Sequence, residues 1–320
     1  MDRHFNKGVD VSVIIVNYNS TYCLVNCIAS VMKYTEGVNY EIIVVDNNST
    51  DNIQKIFFEK FPLVKVIKNN ENRGFGAANN QGAEMARGRF LLLLNNDTLF
   101  VENSIFKICD FYLKSKGNLL IGCKLVTNNG SVQRSFYPFP HPWNLITSNL
   151  FLYKIFPRSK LMNKSYLFTK EIKEIKEVDV IVGAFMFLQR DLFIELGGFD
   201  ENFFFYHEDT DLCFRFVQSG GRVLYFPQTH IIHLGGGTTD KYPWFRYKNK
   251  SVSVIKFAQK HFTGPKFILS VFVHYLGLML RVPVYFLYAI LTLNKSMFLK
   301  SFIYFRCLFL YPSNSFRKND

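Results

Sequence analysis

The first 100 residues alternate between continuous apolar runs and segments with helical spacing, and no other feature constrains the fold as strongly. The strand-like runs are residues 11–16, 41–46, 64–67 and 90–94, and all but the third, which Lys65 interrupts, are typical of strands buried on both faces. The segments with helical spacing lie between them, at residues 23–32, 51–61 and 76–86. Strands and helices that alternate in this way are joined by right-handed crossovers. We therefore predict an α/β fold with a mostly parallel sheet and helices on both faces.

Polar triplets follow three of the four predicted strands, at the point where each strand ends. They are Asn17, Tyr18 and Asn19; Asp46, Asn47 and Asn48; and Asn95, Asn96 and Asp97. Asn and Asp are favoured in turns, which explains any one triplet by itself. In parallel α/β sheets, however, ligands bind beyond the carboxyl ends of the strands. Three triplets at the same edge therefore predict a binding site there.

Asp97 is a candidate ligand for a divalent cation, because it ends a buried strand beside two carboxamides. Mg²⁺ and Mn²⁺ favour oxygen ligands, and Mg²⁺ keeps several waters while it bridges to substrate phosphates. The segment HIIHLGGG offers a second ligand, since His233 leaves a strand end and enters a glycine loop that can approach a phosphate closely. A purely structural histidine is the alternative, and His230 is the natural comparison.

Three carboxylates crowd into the segment YHEDTDL, at Glu208, Asp209 and Asp211. They begin a predicted helix at residues 207–221, and acids near a helix N-terminus are stabilised by the helix dipole. A positioned carboxylate can also act as a general base on a reacting hydroxyl, which is worth about 10²- to 10⁴-fold in rate. The spacing alone leaves both interpretations open.

After residue 100 the regular alternation of strands and helices ends. The segment SFYPFPHPWN, residues 135–144, has proline at every second position from 138 to 142, which predicts an extended loop rather than a helix. Its aromatic side chains, Trp143 among them, suggest either a mobile loop over an acceptor or an ordered packing loop. Residues 180–188 and 222–226 are predicted to return as strands.

The positive charge is concentrated in the last 80 residues. The whole chain has 38 Lys and Arg against 25 Asp and Glu, a formal net charge of +13. From Lys241 onward there are 13 basic residues against one acid, Asp320. Two apolar runs in this region, residues 267–280 and 297–311, are flanked or interrupted by basic residues. Such segments suit helices that lie in an anionic membrane surface, so we predict a membrane partner and no nucleic acid.

Neither apolar run is predicted to form a simple spanning helix. Residues 267–280 fall short of the roughly 20 needed to cross a bilayer, and an extension to residue 293 would include Arg281 and Pro283. Packing on the catalytic domain, an oligomer interface and a transmembrane hairpin are the alternatives. We predict two domains: residues 1–245, which carry the site, and residues 246–320, a helical membrane-associating segment.

The cysteines and the N-terminus both favour a reducing compartment. The six cysteines are scattered, without paired spacing or nearby histidines at zinc spacing. The N-terminal residues lack the apolar h-region of a secretory signal. We therefore expect the catalytic part to be cytosolic.

Six segments, taken in order, resemble one known family. They are VSVIIVNYNS, VVDNNSTD, NRGFGAANNQG, LLLLNNDT, GAFMFLQRDLFIELGGFDENFFFYHEDTDLCFR and HLGGGT, between about residues 10 and 240. Together they resemble the family 2 glycosyltransferases of GT-A fold, and among these the bacterial rhamnosyltransferase-like branch. The resemblance implies a Rossmann-like nucleotide-diphospho-sugar transferase domain. It also implies inverting transfer of rhamnose or a similar hexose to a glycan or polyprenyl-linked acceptor, in cell-surface polysaccharide synthesis.

The same motifs imply roles on the donor side. Asp46 and Arg73 should contact the base or ribose of the nucleotide-diphosphate sugar. The other residues assigned to the donor are Asn17, Tyr18, Asn48 and Asn96. Asp97 matches the metal-binding aspartate that closes the family's DxD motif, in which Asn95 replaces the first Asp. His233 matches a late histidine near the metal and the diphosphate.

On the acceptor side, Asp209 matches the family's catalytic base, and we assign Glu208 and Trp143 to the same side. The resemblance and the basic C-terminal segment together place the protein at the cytoplasmic face of the bacterial inner membrane, as a peripheral or monotopic protein. A non-catalytic nucleotide-sugar-binding scaffold of an envelope-glycan assembly is the alternative, suggested by Asn95.

Two other classes of enzyme fit the sequence less well. A dehydrogenase would need a third glycine in RGFGAANNQG at position 79, where Asn79 stands. A nucleotidyltransferase would normally show a basic, glycine-rich loop after the first strand, and NYNSTYC is not such a loop.

Overall fold

The structure is a computed structural model that describes residues 8–51, 60–156, 158–159, 161–162, 172–235 and 242–311. Most of the helix predicted at residues 51–61 lies outside the described residues. The strands are β1 (Val11–Asn17), β2 (Tyr40–Asp46), β3 (Lys65–Lys68), β4 (Phe90–Asn95), β5 (Thr98–Phe100), β6 (Leu119–Val126), β7 (Phe136–Tyr137), β8 (Lys176–Glu177), β9 (Val180–Ile181), β10 (Phe185–Gln189) and β11 (Arg222–His233).

The helices predicted at residues 23–32 and 76–86 are present, and helices dominate the described residues at the end of the chain. They are α1 (Thr21–Tyr34), α2 (Phe75–Met85), α3 (Ser104–Lys114), α4 (Pro142–Asn149), α5 (Leu152–Ile155), α6 (Arg190–Glu195), α7 (Glu208–Gln218), α8 (Pro243–His261), α9 (Gly264–Thr292) and α10 (Lys295–Cys307).

Nine of the described strands form one sheet, in the order β3, β2, β1, β4, β10, β6, β11, β5, with β8 paired to β11. β1 runs parallel to β2 and β4, β2 to β3, and β6 to β11. β10 is antiparallel to both of its neighbours, β4 and β6. The α/β fold with a mostly parallel sheet is therefore confirmed. The four leucines Leu91–Leu94 of β4 lie at its centre with no exposed surface.

The chain divides into two compact units. The first comprises residues 1–137, 171–204 and 208–238, and contains the sheet. The second comprises residues 138–170, 205–207 and 239–320, and contains α4, α5 and α8 to α10. The functional division at residue 245 stays a prediction.

Two predicted strands differ from the observed ones. Residues 180–188 form two strands, because the chain turns at Gly183: β9 pairs with β7 in a separate two-stranded sheet, while β10 joins the main sheet. Both halves are apolar, so the break leaves no mark in the hydropathy pattern. The strand predicted at residues 222–226 continues as β11 to His233, through an irregular register between Phe226 and His230.

In the second unit, α4 begins inside the segment that was predicted to be an extended loop. Proline is tolerated at the first position of a helix because that backbone position has no intrahelical N–H bond to lose. Pro142 therefore starts α4, and the His141 side chain accepts a hydrogen bond from the Trp143 amide nitrogen. The prediction of a loop is wrong from residue 142 onward.

α9 is a single helix of 29 residues that passes through Arg281 and Pro283. The helix is thus longer than the apolar run at residues 267–280, and the expectation that it does not simply span a membrane stays a prediction. In the described part of the chain, α9 alone is long and apolar enough to cross a membrane, by length and composition. The Arg281 side chain has hydrogen-bond partners. Its Nη1 atom donates to Asn149 Oδ1 and to the Gly277 carbonyl oxygen, both at 2.9 Å. The in-plane placement stays a prediction.

Candidate active site

The three polar triplets meet at the carboxyl edge of the sheet, where β1, β2 and β4 end. The register sets Asn17 beside Asp46, and Val16 beside Asn95. Asn17 Nδ2 donates to Asp46 Oδ1 at 3.1 Å, and Asn96 Nδ2 donates to Asn17 Oδ1 at 2.9 Å. One residue of each triplet is thus joined to the others by a chain of hydrogen bonds.

Asp46 lies at the bottom of this edge, with no exposed surface. Its Oδ2 atom accepts from the Ser49 amide nitrogen at 3.2 Å, and Oδ1 accepts from the Ser49 hydroxyl. Asn17 is equally buried, whereas Tyr18 is 38% exposed and Asn48 is exposed with a φ of +64°. Because Asp46 has no exposed surface, a direct contact with a nucleotide requires the groups around its carboxylate to move. The donor role of these residues stays a prediction.

The loop before α2 holds Arg73 at the rim of the first unit. Gly74 has a φ of +86°, and a Cβ atom there would lie 2.6 Å from the Phe204 carbonyl oxygen, so only glycine fits this close approach. Asn47 Nδ2 donates to the Gly74 carbonyl oxygen at 3.0 Å and ties the loop to the end of β2. Arg73 Nη2 lies 3.4 Å from Glu201 Oε2, with both side chains partly exposed. The guanidinium is therefore accessible to a ligand.

Asp97 and His233, which are 136 positions apart in the sequence, face each other at the end of β11. Asp97 Oδ1 lies 3.3 Å from His233 Nε2, and each side chain keeps 16% of its surface exposed. The Leu234 amide nitrogen donates to the Asp97 carbonyl oxygen at 2.9 Å, which holds the two segments together. His230 points elsewhere, with its Nδ1 atom 2.8 Å from Glu102 Oε1.

The donor set of this pair fits a hard or borderline divalent cation. Two neighbouring ligands of an octahedral cation with bonds of about 2.1 Å are separated by roughly 3 Å, close to the distance between Asp97 and His233. Carboxylate oxygen and imidazole nitrogen are both ordinary ligands of Mn²⁺ and related metals. Among the described residues, no group of three or more His, Cys, Asp or Glu is placed to hold a metal. Two protein ligands suffice where phosphates and waters complete the shell.

Asp209 lies in the first turn of α7, and backbone groups hold its carboxylate in place. Oδ2 accepts from the Gly183 amide nitrogen at 3.1 Å, and Oδ1 accepts from the Thr210 amide nitrogen at 2.7 Å. A Cβ atom at Gly183 would lie 3.4 Å from the Phe75 ring and 3.7 Å from Asp209 Cβ. Burial raises the pKa of Asp209 above its ordinary value, in the direction that makes a carboxylate a better base.

Glu208 is a second carboxyl group, buried next to Asp209. It is 7% exposed, and among the described residues its Oε2 atom has no hydrogen-bond partner. Burial, and then the charge of Asp209, raise the pKa of Glu208 well above its ordinary value. A buried carboxyl of this kind is favoured in its protonated form.

This burial predicts a pH-dependent effect of Glu208→Gln on stability. A carboxyl with a raised pKa in the folded state contributes stability below its unfolded pKa of about 4.3, and that contribution is lost as the pH rises through the folded pKa. The carboxamide of glutamine does not titrate in this pH range, so it removes this dependence of stability on pH. We expect the variant to melt at a higher temperature than the wild type at pH 8, with the difference shrinking toward pH 4. Exposed Glu195→Gln is the control, and an equal difference at both pH values would contradict the assignment.

Arg215 secures α7 against the preceding turn, a contact that the sequence analysis missed. Its Nε atom donates to Asp211 Oδ2 at 2.8 Å, and its two terminal nitrogens donate to the carbonyl oxygens of Leu196 and Gly198. The spacing of four residues between Asp211 and Arg215 on one predicted helix was the available signal.

Trp143 belongs to the second unit, where its indole nitrogen donates to the Leu161 carbonyl oxygen at 3.0 Å. The side chain is half-buried in that unit. Its role on the acceptor side stays a prediction, as does the mobility of the loop before it.

A family model described as glycosyl transferase family 2 matches residues 12–197, which is more than half of the chain. This chain belongs to glycosyltransferase family 2. The family that the six motifs resemble is thereby confirmed. A second model, described as the N-terminal domain of galactosyltransferase, matches residues 164–235 of this family 2 chain.

Relatives of this family 2 glycosyltransferase act on lipid-linked sugars, according to their names. An N-acetylglucosaminyl-diphospho-decaprenol L-rhamnosyltransferase of Mycobacterium tuberculosis is 26% identical over 244 residues, 72% of this chain and 78% of that relative. A UDP-Glc:alpha-D-GlcNAc-diphosphoundecaprenol beta-1,3-glucosyltransferase of Escherichia coli is 29% identical over 127 residues. That match covers 39% of this chain and half the length of the relative.

Solved structures show that the glycosyltransferase has the GT-A fold. The mannosyltransferase PcManGT of Pyrobaculum calidifontis, in complex with GDP-Man and Mn²⁺, matches with a TM-score of 0.56 at 16% identity. The match covers 96% of this chain and 86% of that one. GalNAc-T7 with UDP, GalNAc and Mn²⁺ matches with a TM-score of 0.52 at 19% identity, over 71% of this chain and 44% of the other.

Proposed function

We propose that this protein transfers a sugar, with inversion, from a nucleotide-diphosphate donor to a polyprenyl-linked or glycan acceptor in cell-surface polysaccharide synthesis. The observation that carries the proposal is the Asp97–His233 pair at the carboxyl edge of the sheet, where its carboxylate and imidazole are 3.3 Å apart. Asp209 on α7 supplies a carboxylate with the properties of a general base. The names of relatives support the class of acceptor.

The donor lies, in this proposal, across the strand ends of β1, β2 and β4. Tyr18, Asn48 and Arg73 are exposed at that edge and meet the nucleotide, while Asn17 and Asp46 support them from below. Asp97 and His233 would hold Mg²⁺ or Mn²⁺ for the donor diphosphate. The bound cation would neutralise the negative charge that develops on the leaving nucleoside diphosphate.

Asp209 acts on the acceptor. Its carboxylate takes the proton of the acceptor hydroxyl, whose oxygen forms a bond with the anomeric carbon as the bond to the diphosphate oxygen breaks. A single displacement of this kind inverts the anomeric centre. The amides of Gly183 and Thr210 keep the carboxylate in one orientation. Glu208 and Trp143 are proposed to lie on the acceptor side.

The transfer test uses a panel of donors with one lipid-linked acceptor. The purified protein is incubated with dTDP-rhamnose, UDP-glucose, UDP-galactose or GDP-mannose and a polyprenyl-diphosphate-linked N-acetylglucosamine. Mass spectrometry of the lipid product then reports the mass of the added sugar. We expect a gain of one deoxyhexose or hexose from one donor of the panel, with rhamnose first among them. A protein that binds a donor and adds no sugar to this acceptor would instead behave as the scaffold suggested by Asn95.

The second unit is proposed to bind the cytoplasmic face of the membrane. Its described residues 242–311 carry ten Lys and Arg and no Asp or Glu. Large apolar side chains are exposed along the end of α9 and on α10, such as Leu291 at 83%, Leu293 at 90% and Phe302 at 55%. Exposed apolar side chains in a segment that carries only basic charges suit anionic lipid. A lipid-linked acceptor would then share that surface with the enzyme.

Flotation with anionic liposomes tests this surface. Burying one leucine side chain is worth about 1.5–3 kcal/mol, so Leu291→Glu with Leu293→Glu should lower membrane binding at least about tenfold at low salt. The matched control is Leu63→Glu, because Leu63 is 88% exposed in the first unit. If the double variant floats as well as the wild type and the control, the proposed surface is wrong.

A further inference from the structure

We propose that Gln133 is a positioning residue that holds the His233 ring in the tautomer with its proton on Nδ1, so that Nε2 is open to a cation beside Asp97. The inference rests on the proposed function for the identity of the cation. It concerns a residue outside every motif of the sequence analysis. Gln133 itself touches neither the donor nor the acceptor in this scheme, and acts through His233.

Both polar atoms of the Gln133 amide contact the same residue. Gln133 Nε2 donates to the His233 carbonyl oxygen at 2.6 Å. Gln133 Oε1 lies 2.8 Å from His233 Nδ1. One side chain therefore hydrogen-bonds to both the backbone and the ring of His233.

This double contact determines the tautomer. A carbonyl oxygen can only accept, so the amide group that faces it must be the NH₂ group. The amide oxygen then faces Nδ1, and an oxygen that only accepts requires a proton on Nδ1. In the neutral ring Nε2 consequently carries a lone pair, and that lone pair points toward Asp97 Oδ1 at 3.3 Å.

Two lone-pair-bearing atoms at this distance attract a cation. In the other tautomer Nε2 would carry the proton and donate it to Asp97, which would close the pair and leave no open nitrogen for a metal. Metal-binding histidines commonly have their second nitrogen fixed by such an outer partner. Gln133 thus selects the open arrangement of the pair over the closed one.

The backbone around Gln133 is built to place its side chain there. Residues 127–131 make a tight turn with Gly130 at a φ of +80°, and Val132 bridges back to Val126 at the end of β6. The Gln133 amide nitrogen donates to the Leu125 carbonyl oxygen at 2.8 Å. Leu125 pairs in turn with Ile231 of β11, two residues before His233. The hairpin therefore carries Gln133 to the end of β11.

The first experiment reads the tautomer directly, on metal-free protein. Nitrogen-15 NMR of the histidine rings, well above the ordinary histidine pKa of about 6.5, distinguishes a protonated Nδ1 from a protonated Nε2. The His233 signal is assigned by its loss in His233→Gln. We expect Nδ1 to be protonated in the wild type and in Gln133→Glu, whose carboxylate still accepts from Nδ1 although it cannot donate to the His233 carbonyl oxygen. In Gln133→Leu we expect a mixture of the two tautomers.

The second experiment measures Mn²⁺ affinity by electron paramagnetic resonance on the same proteins, with the melting temperature as a check of folding. Loss of a second-shell partner typically costs about 10- to 100-fold in metal affinity, which we expect for Gln133→Leu. Gln133→Glu keeps an acceptor for Nδ1 but loses the donor to the His233 carbonyl oxygen, so its affinity should fall less than that of Gln133→Leu. Exposed Gln218→Leu is the control.

The outcomes separate this inference from the proposed function. If Gln133→Leu keeps the wild-type tautomer and affinity, Gln133 does not position His233, whereas the proposed transfer is untouched. A wild type that protonates Nε2 overturns the inference in the same way. If Nδ1 is protonated in the wild type but the protein does not bind Mn²⁺, then Asp97 and His233 are not a cation site. That result would contradict both this inference and the metal site of the proposed function.

Discussion

We expect Asp209→Asn to lower the turnover number of sugar transfer by at least about 100-fold, while the affinity for the donor stays nearly unchanged. The amide is isosteric with the carboxylate but cannot take the proton of the acceptor hydroxyl. Donor binding does not involve this proton, so it should survive the substitution. Transfer is measured with saturating donor and acceptor, and donor affinity by calorimetry in the presence of Mn²⁺.

Two controls accompany this variant. In Asp209→Asn the new carboxamide would present an NH₂ group to one of the backbone amides that now donate to the carboxylate, so the melting temperature must show that the variant is folded. Asp191→Asn changes a carboxylate with 84% of its side-chain surface exposed, and should leave transfer unchanged. Turnover of Asp209→Asn near that of the wild type would remove Asp209 from the role of base.

Asp97→Ala should weaken the binding of Mn²⁺ and of the donor together. The cation is proposed to link the protein to the diphosphate, so a lost ligand affects both partners. A loss of at least about tenfold in each affinity is expected, since even second-shell changes cost about 10- to 100-fold. Calorimetry with the nucleoside diphosphate, with and without Mn²⁺, measures both effects.

The two nearby histidines provide the matched comparison for Asp97. His233→Ala should resemble Asp97→Ala, because its Nε2 atom faces the Asp97 carboxylate. His230→Ala should not, because that ring pairs with Glu102 instead. Unchanged nucleotide affinity in Asp97→Ala, or equal effects of the two histidine variants, would count against the metal assignment.

The sequence predicted the central part of the sheet well, because the signals for each strand there lie within a single short segment of the chain. β1, β2 and β4 are mainly apolar strands buried on both faces, and each ends at a polar triplet whose groups need hydrogen-bond partners or solvent. The position of the candidate site then follows from the geometry of parallel strands, whose carboxyl ends share one edge. Hydropathy and topology together were sufficient for this region.

The elements that the sequence missed depend on pairing between distant segments. The break at Gly183 arises where the chain leaves one sheet for another, and both halves of the run are equally apolar. The extension of β11 to His233 depends on β5 and β6 as partners. α4 was missed because Pro142 was treated as a helix breaker, although proline suits the first turn.

Gln133 and Asp46 mark the limits of motif analysis at the site. Gln133 follows an Asn-Gly turn between two apolar segments, which is a hairpin signal, but nothing local connects it with His233 a hundred residues later. Asp46 was correctly predicted to lie at the strand edge, yet no pattern indicated that its carboxylate would be fully buried. In the fold this carboxylate accepts from the Ser49 amide nitrogen and from Asn17 Nδ2 on the neighbouring strand.

Release of nucleoside diphosphate, followed with and without the lipid-linked acceptor, is the measurement that decides whether the protein transfers a sugar as proposed. The wild type, Asp209→Asn and Asp97→Ala are compared with the donor that gives product in the panel. We expect acceptor-dependent release by the wild type, and release by Asp209→Asn that is slower by at least about 100-fold. Release by Asp97→Ala should be slow as well, and high concentrations of donor and Mn²⁺ should restore it in part. Release by Asp209→Asn at the wild-type rate, or no acceptor-dependent release by the wild type with any donor, would contradict the proposed transfer.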